Sequence, residues 1–329
     1  FQAEDGIRDS STSRGLGDVY KRQYQLWVWG ENPSGSLGQN NQTTYSSPRQ
    51  IPGLWVEASV TCGFKISDTG GVDAYVWGQN SYGQLGDGTT ASRSSPIQLE
   101  GSWKSLQIQS HSLGIKSDGT LWTWGYNGIG NLGHNNRSDL GLPLKLGTAT
   151  NWSKLASNGP SNTSAAITTD GELWMWGSNS NGQMGVNDRT QYSSPVQVPG
   201  TTWAYISGNE AATVAIKTDG TMWSWGENEK GLLGLNQPES TDISSPTQIP
   251  GTNWKYIASG AGRHNLAIRT DGTLWGWGRA DYGNLATAPG NDGYSSPIQL
   301  PGSNYYYAMT QDHSSAALRA VAPPGSRYK

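Results

Sequence analysis

Six near-copies of one five-residue phrase, about fifty residues apart, constrain this chain more than any other feature. They read LWVWG at 26–30, AYVWG at 74–78, LWTWG at 121–125, LWMWG at 173–177, MWSWG at 222–226 and LWGWG at 274–278. Their final tryptophans, Trp29, Trp77, Trp124, Trp176, Trp225 and Trp277, step by 48, 47, 52, 49 and 52 residues. Self-similarity at such a period means repeated supersecondary units that bury their apolar faces against one another. All 16 Trp occupy repeat positions. Eleven lie in the six phrases, where Tyr75 replaces one, and Trp55, Trp103, Trp152, Trp203 and Trp254 supply one more per repeat. A residue that every unit repeats serves the folding of the unit, so these Trp read as structural.

One repeat shows what the unit is. In residues 264–278, two short apolar runs flank Asp271-Gly272, and the same dipeptide recurs at Asp118-Gly119, Asp170-Gly171 and Asp219-Gly220. Apolar runs around Asp-Gly are a hairpin signal, with the positive φ values of a type I′ turn as the expectation. The copy at 64–77 is stretched to a longer loop. Trp275 and Trp277, two apart, project from one face of a strand. Next comes a glycine-bracketed turn in which Leu37, Leu85, Leu132, Met184, Leu233 and Leu285 read as plugs. The SSPxQ and WxxI segments add two more extended pieces, with Pro at a strand edge because it cannot donate to a ladder. Four short strands per unit, with Gly-aromatic motifs, is the pattern of a β-propeller blade. Helical repeats of similar period are excluded, since no window carries an i, i+3, i+4, i+7 apolar stripe.

From WxxI through HxxAIKxDGTLWxWGxNxxGQLG to SSPxQ, the unit resembles the regulator of chromosome condensation repeat in its bacterial and viral versions. The resemblance covers residues 24–319 and implies an all-β propeller, typically of seven four-stranded blades. Here five units are complete. A front half opens at Tyr24 and a back half ends at Arg319, which makes six blades if the chain ends share one; seven or more remain open if the natural chain is longer. Residues 2–23 carry no trace of the repeat and resemble the in-frame translation of a transposon-type sequencing-library adapter. They are expected to be unstructured, with the natural protein continuing upstream of Tyr24 and its localisation therefore unknown. Residues 320–329 read as a flexible tail.

Composition narrows the function classes. The formal charge is −3 with 14% charged residues, no Lys/Arg run and no long apolar stretch. Neither nucleic acid nor membrane insertion is expected as a partner. The single cysteine, Cys62, rules out an intramolecular disulfide. His111 and His264 share one slot of the repeat, with His313 a residue away and His134 elsewhere; without a repeating carboxylate beside them they read as structural, so neither metal nor cofactor is expected. No acid, base and nucleophile cluster stands out from the repeat, so the chain is not expected to be an enzyme. The Asp-Gly pairs lack the ligand ladder of a calcium loop.

Specificity should lie where the copies differ, because variation in a rigid repeat marks exposed loops. Those positions follow each WG and precede each SSP, and tyrosine is frequent there: Tyr45, Tyr82, Tyr126, Tyr192, Tyr282 and Tyr294 are the candidate binding residues. The expected role is a monomeric, non-catalytic protein-binding propeller using variable loops on one face. The alternatives are a structural, receptor-binding or carbohydrate-binding head of a larger cell-surface or virion protein, with a glycan as ligand. The resemblance also admits a guanine-nucleotide exchange factor, which the absence of an acidic cluster and a basic tail disfavours.

Overall fold

The computed structural model describes residues 24–67, 71–156, 162–209, 211–260, 262–287, 292–311 and 313–320. The adapter-like segment, and all but the first residue of the expected tail, lie outside the described residues. The chain forms two compact units that divide between Leu155 and Ala156.

In the first unit, β1 (Tyr24–Gly30), β2 (Tyr45–Ala58), β3 (Cys62–Ile66), β4 (Val72–Gly78) and β5 (Arg93–Leu99) form one antiparallel sheet in sequence order. The next sheet is β6 (Trp103–Ile108), β7 (His111–Lys116), β8 (Leu121–Gly125) and β9 (Leu140–Lys145), and β10 (Trp152–Leu155) opens a third. In the second unit, β11 (Thr163–Thr168), β12 (Leu173–Gly177) and β13 (Tyr192–Gln197) belong to that third sheet. They are followed by the sheets β14 (Trp203–Gly208), β15 (Ala212–Lys217), β16 (Met222–Gly226), β17 (Ile243–Ile249) and β18 (Trp254–Ser259), β19 (His264–Arg269), β20 (Leu274–Arg279), β21 (Gly293–Gln299). The hairpin β22 (Tyr305–Thr310), β23 (Ser315–Arg319) comes last. The only helix among the described residues is a 3₁₀ turn at Glu229–Gly231. The architecture is thus all-β, with five four-stranded propeller blades.

The half units of the sequence are present as the pairs β1–β2 and β22–β23, and among the described residues no strand pairing forms a sixth, shared blade. β1 pairs with β2 through Trp27↔Gln50 and Val28↔Arg49, the same alignment that joins Trp174 to Gln197 and Met175 to Val196 in a complete blade. β23 pairs with β22. The first sheet has five strands because β2 runs unbroken through Pro52-Gly53-Leu54: its first half partners β1, and Trp55, Glu57 and Ala58 partner β3. Leu54 stands where the corresponding link Leu99–Trp103 has Ser102, so this link lacks a polar turn residue.

The Asp-Gly hairpins form, but not as type I′ turns. Gly119, Gly171, Gly220 and Gly272 have φ near +77°, between 76° and 78°, while none of the preceding Asp residues has positive φ. The Gly119 N–H donates to the Lys116 carbonyl at 2.9 Å, and the Lys116 N–H to Thr120 at 3.0 Å. The loop is therefore three residues long, closed by glycine in the left-handed region. The Asp118 carboxylate accepts from the Thr120 N–H and hydroxyl, at 3.0 and 2.6 Å, which holds its pKa below the usual carboxylate range. The extra residue lets Asp cap the turn from the side, a bond that a two-residue loop leaves no room for.

The core sits at the seams between consecutive sheets. In the second unit one seam joins Leu173, Met175, Met184 and Val198 to Trp203, Ile206 and Trp225, and another joins Val214, Ile216 and Met222 to Trp254, Ile257 and Trp277. All six predicted plugs are buried, at no more than 4% exposure. The second Trp of the phrase is fully buried in the seam. It donates its indole N–H to the glycine-bracketed turn of the preceding sheet: Trp77 to Ser36 at 2.9 Å, Trp124 to Gln84 at 2.8 Å, Trp225 to Gln183 at 2.8 Å and Trp277 to Leu232 at 3.0 Å. Trp29 breaks the pattern. It is 55% exposed and Trp27 46%, and among the described residues β1 has one strand neighbour, β2.

Candidate binding site

Five of the six turns after WG are set by one buried asparagine, and the sixth has the buried Ala280 in its place. Asn80 Oδ1 accepts the Leu85 N–H at 2.9 Å, and its amide donates to the carbonyls of Thr89 and Ala91 at 3.0 and 3.1 Å. Asn32, Asn127, Asn179 and Asn228 repeat the arrangement. The residues between Asn and the plug are thereby held at the surface in a fixed conformation, and they include the variable positions.

The six candidate tyrosines separate into two kinds. Tyr45, Tyr192 and Tyr294 lie on the outer strands and serve the blade. Asn41 donates to the Tyr45 hydroxyl at 2.9 Å, and Arg49 lies over its ring at 4.8 Å. Tyr192 donates to Asp188 at 2.7 Å, a bond that raises the phenol's pKa. Tyr294 packs on the seam of Leu266, Leu274 and Leu300. Tyr82, Tyr126 and Tyr282 lie on the turns after WG. In the second unit, Tyr282 is 54% exposed, meets the His313 ring edge-on at 4.1 Å and receives a bond from Arg279 at 3.1 Å.

In the first unit, Tyr82 is 42% exposed and packs on Tyr126 with ring centroids 5.0 Å apart and planes inclined by 58°. Beside Tyr82 is an open cavity of about 220 Å³, lined also by Thr61, Gln79, Gln84, Ile108, Gln109 and Ser110. No charged side chain lines it. Gln84 is its buried wall, 3% exposed and anchored on both sides. Its carbonyl accepts from Trp124 and Ser112, both at 2.8 Å, and its side-chain oxygen accepts the Tyr82 N–H at 2.9 Å. Sequence reasoning placed Tyr82 and Tyr126 but read Gln84 as a turn residue; the available signal was that this slot holds Ser36, Asn131, Gln183, Leu232 and Asn284 in the other copies, and so varies.

Of the histidines, His264 behaves as expected of a structural polar contact: its ring nitrogens lie 3.1 Å from the Gly262 carbonyl and 2.8 Å from the Ser315 hydroxyl. His111 is equally buried but has no partner on either ring nitrogen, and burial pushes its pKa down to about 4. Among the described residues no group of three His, Cys, Asp or Glu could hold a metal ion. Burial raises the Cys62 thiol to about 11, which leaves it protonated and unreactive at neutral pH. Among the described residues no helix is long and apolar enough to cross a membrane.

Models of the regulator of chromosome condensation (RCC1) repeat match residues 73–114, 170–216, 219–268 and 254–284. The chain carries RCC1 repeats. It is 28% identical over 83% of its length to the Ultraviolet-B receptor UVR8 of Arabidopsis thaliana, and 31% identical over 80% to the mitochondrial RCC1 domain-containing protein RUG3 of the same plant. It spans 64% and 52% of those two relatives. Among solved structures, Prp20p of Saccharomyces cerevisiae is similar with a TM-score of 0.73 at 19% identity, over 93% of this chain and 82% of that one. This likeness supports the RCC1-type propeller fold. The Prp20p structure was described with that protein's binding to Gsp1p and histones.

Proposed function

We propose that this chain is a non-catalytic protein-binding module that engages its partner through the turns following the WxWG strands, with Tyr82 and Tyr126 at the centre of the contact in the first unit. The observation that carries this reading is the Tyr82–Tyr126 pair. A large amphipathic side chain stands 42% exposed on a turn whose backbone is fixed by Asn80 and Gln84. An ordered, exposed tyrosine gives contact area at little entropic cost, and such residues are enriched where proteins bind. Prp20p, which shares the fold, was described with its binding to Gsp1p and histones, and a structure of Kap60 bound to Prp20 exists; these precedents support a protein as partner.

The test is a photo-crosslinking amino acid at position 82, with one at position 45 as control, in extract from the source environment. A discrete crosslinked protein from position 82 that is absent from position 45 is expected, and Tyr126→Ala should weaken it. Equal or no crosslinking from the two positions sinks the reading. Stimulated nucleotide release from Gsp1p or another small GTPase would favour the exchange-factor alternative instead.

A further inference from the structure

We infer that the cavity beside Tyr82 is a subsite for a neutral hexopyranose, either free or as a residue of a glycan. This rests on the turns after WxWG being the binding face, but not on the partner there being a protein.

The chemistry of the lining decides the ligand class. Six of the seven residues that line the cavity, Thr61, Gln79, Tyr82, Gln84, Gln109 and Ser110, have polar side chains, and none is charged. Without a cation in the wall, a phosphate, sulfate or carboxylate ligand would lose its water without a compensating charge. Without an anion, a cationic side chain meets the same objection. The ligand is therefore neutral.

It must also be rich in hydrogen-bonding groups. The Gln84 side chain is buried, yet its amide N–H₂ donates to no group among the described residues; only its oxygen is used, by the Tyr82 N–H. Gln183, at the same place in the second unit, spends its amide on Ser178 at 3.3 Å. In the first unit Gln79 stands at the position of Ser178 and turns its own amide to Ser81, also at 3.3 Å. One substitution in the repeat thus leaves a fixed donor directed at a cavity. The hydroxyls of Thr61 and Ser110 and the amide of Gln109 likewise form no side-chain bond among the described residues.

A single amide side chain from a protein partner saturates at about four hydrogen bonds. A pyranose presents a ring of hydroxyls, each both donor and acceptor, which can serve the Gln84 donor, the Gln109 amide and the Thr61 and Ser110 hydroxyls together. A cavity of about 220 Å³ accommodates one such ring and is below the size of sites for drug-like ligands. The Tyr82 ring and Ile108 supply the apolar surface that the C–H face of a sugar needs. Gln84 is rigid because the Trp124 indole and the Ser112 hydroxyl both hold its carbonyl, so the site is formed before the ligand arrives.

The experiment is saturation-transfer NMR on the whole chain with the methyl glycosides of glucose, galactose, mannose and N-acetylglucosamine at millimolar concentration, and methyl glucuronide as the charged control. Transfer to at least one neutral glycoside and none to the glucuronide is expected. Tyr82→Ala, at an exposed position, should reduce affinity about tenfold or more, the equivalent of one lost aromatic contact. Gln109→Ala should weaken it, and Lys255→Ala, at an exposed strand position outside the turns after WxWG, should leave it unchanged. Transfer to none of the four neutral glycosides, or transfer undiminished in Tyr82→Ala, overturns the inference. Crosslinking of a protein from position 82 without saccharide transfer overturns it while leaving the protein-binding reading intact. Saccharide transfer without protein crosslinking does the reverse.

Discussion

At the residue scale, two buried polar side chains have opposite consequences. Asn80 uses its whole amide to close the turn that presents Tyr82. Asn80→Ala would strand the Leu85 N–H and two loop carbonyls, and it should cost about 1–3 kcal/mol in urea unfolding, since buried groups left without partners lose their full solvation. His111 is the converse, a buried imidazole with nothing to bond. Its folded pKa is depressed to about 4, so the unfolded chain takes up the proton first as pH falls. The folded state is not penalised above the ordinary value near 6.5 and loses stability progressively from there down to about pH 4, by on the order of 3 kcal/mol in total. His111→Leu removes the titration and both orphan nitrogens. The difference in stability between pH 8 and pH 5 should shrink in this variant, and an unchanged difference would mean that other groups carry the acid sensitivity.

At the element scale, the repeat made most of the blade legible, because whatever every copy needs stands out by recurrence. The plugs and the four short strands per unit followed from the recurring pattern, but the difference between the two Trp of a phrase did not. Nor did the turn type: Asp-Gly favours a two-residue turn locally, yet all four copies form the longer loop, three with a Thr bonded back to Asp and one with Glu172 in its place. The role of the basic residue in AIK was also missed. Lys116 lies 3.7 Å from the centre of the Trp122 ring and 5.1 Å from that of Trp103, and Arg269 lies 4.1 Å from Trp275 and 4.3 Å from Trp254. Spacing along one strand cannot reveal a contact made across three. The two Trp of a phrase therefore differ in kind. Trp124→Ala removes a fully buried ring and its bond to Gln84, and should cost about 3–5 kcal/mol. Trp122→Ala, half-buried beneath Lys116, should cost about 1–2 kcal/mol. Paired denaturant melts distinguish them, and equal losses would contradict the seam as the main source of stability. The candidate site was less legible than the blade for the same reason. Tyr82 could be found because it varies, but the free amide of Gln84 depends on what its neighbour Gln79 does not supply.

At the scale of the whole molecule, the incomplete unit at Tyr24 is the informative one. From the sequence, residues 26–29 bring two tryptophans that should be as buried as those of the other copies. In the structure both are exposed, so they are not what ties this strand to the rest. What does is the opposite side of the strand: Leu26 and Val28, half-buried against Ile51, Trp55 and Trp77, and the ladder to β2. Each of those two apolar side chains contributes about 1 kcal/mol on partial burial, and the ladder shields the buried Ile51 from water. Deleting residues 24–30 should therefore lower the melting temperature by about 4–8 °C, given a shift of 2–4 °C per kcal/mol for a chain of this class. Deleting residues 2–23, which carry no repeat signal, should leave it unchanged. The double substitution Trp27→Ser and Trp29→Ser separates the two explanations. If exposure is as described, it should melt with the parent chain and aggregate less, because an edge strand displaying two indoles is a template for association. A loss as large as that of the deletion would instead mean that these indoles are covered in solution, and that β1 has a further strand laid against its open edge.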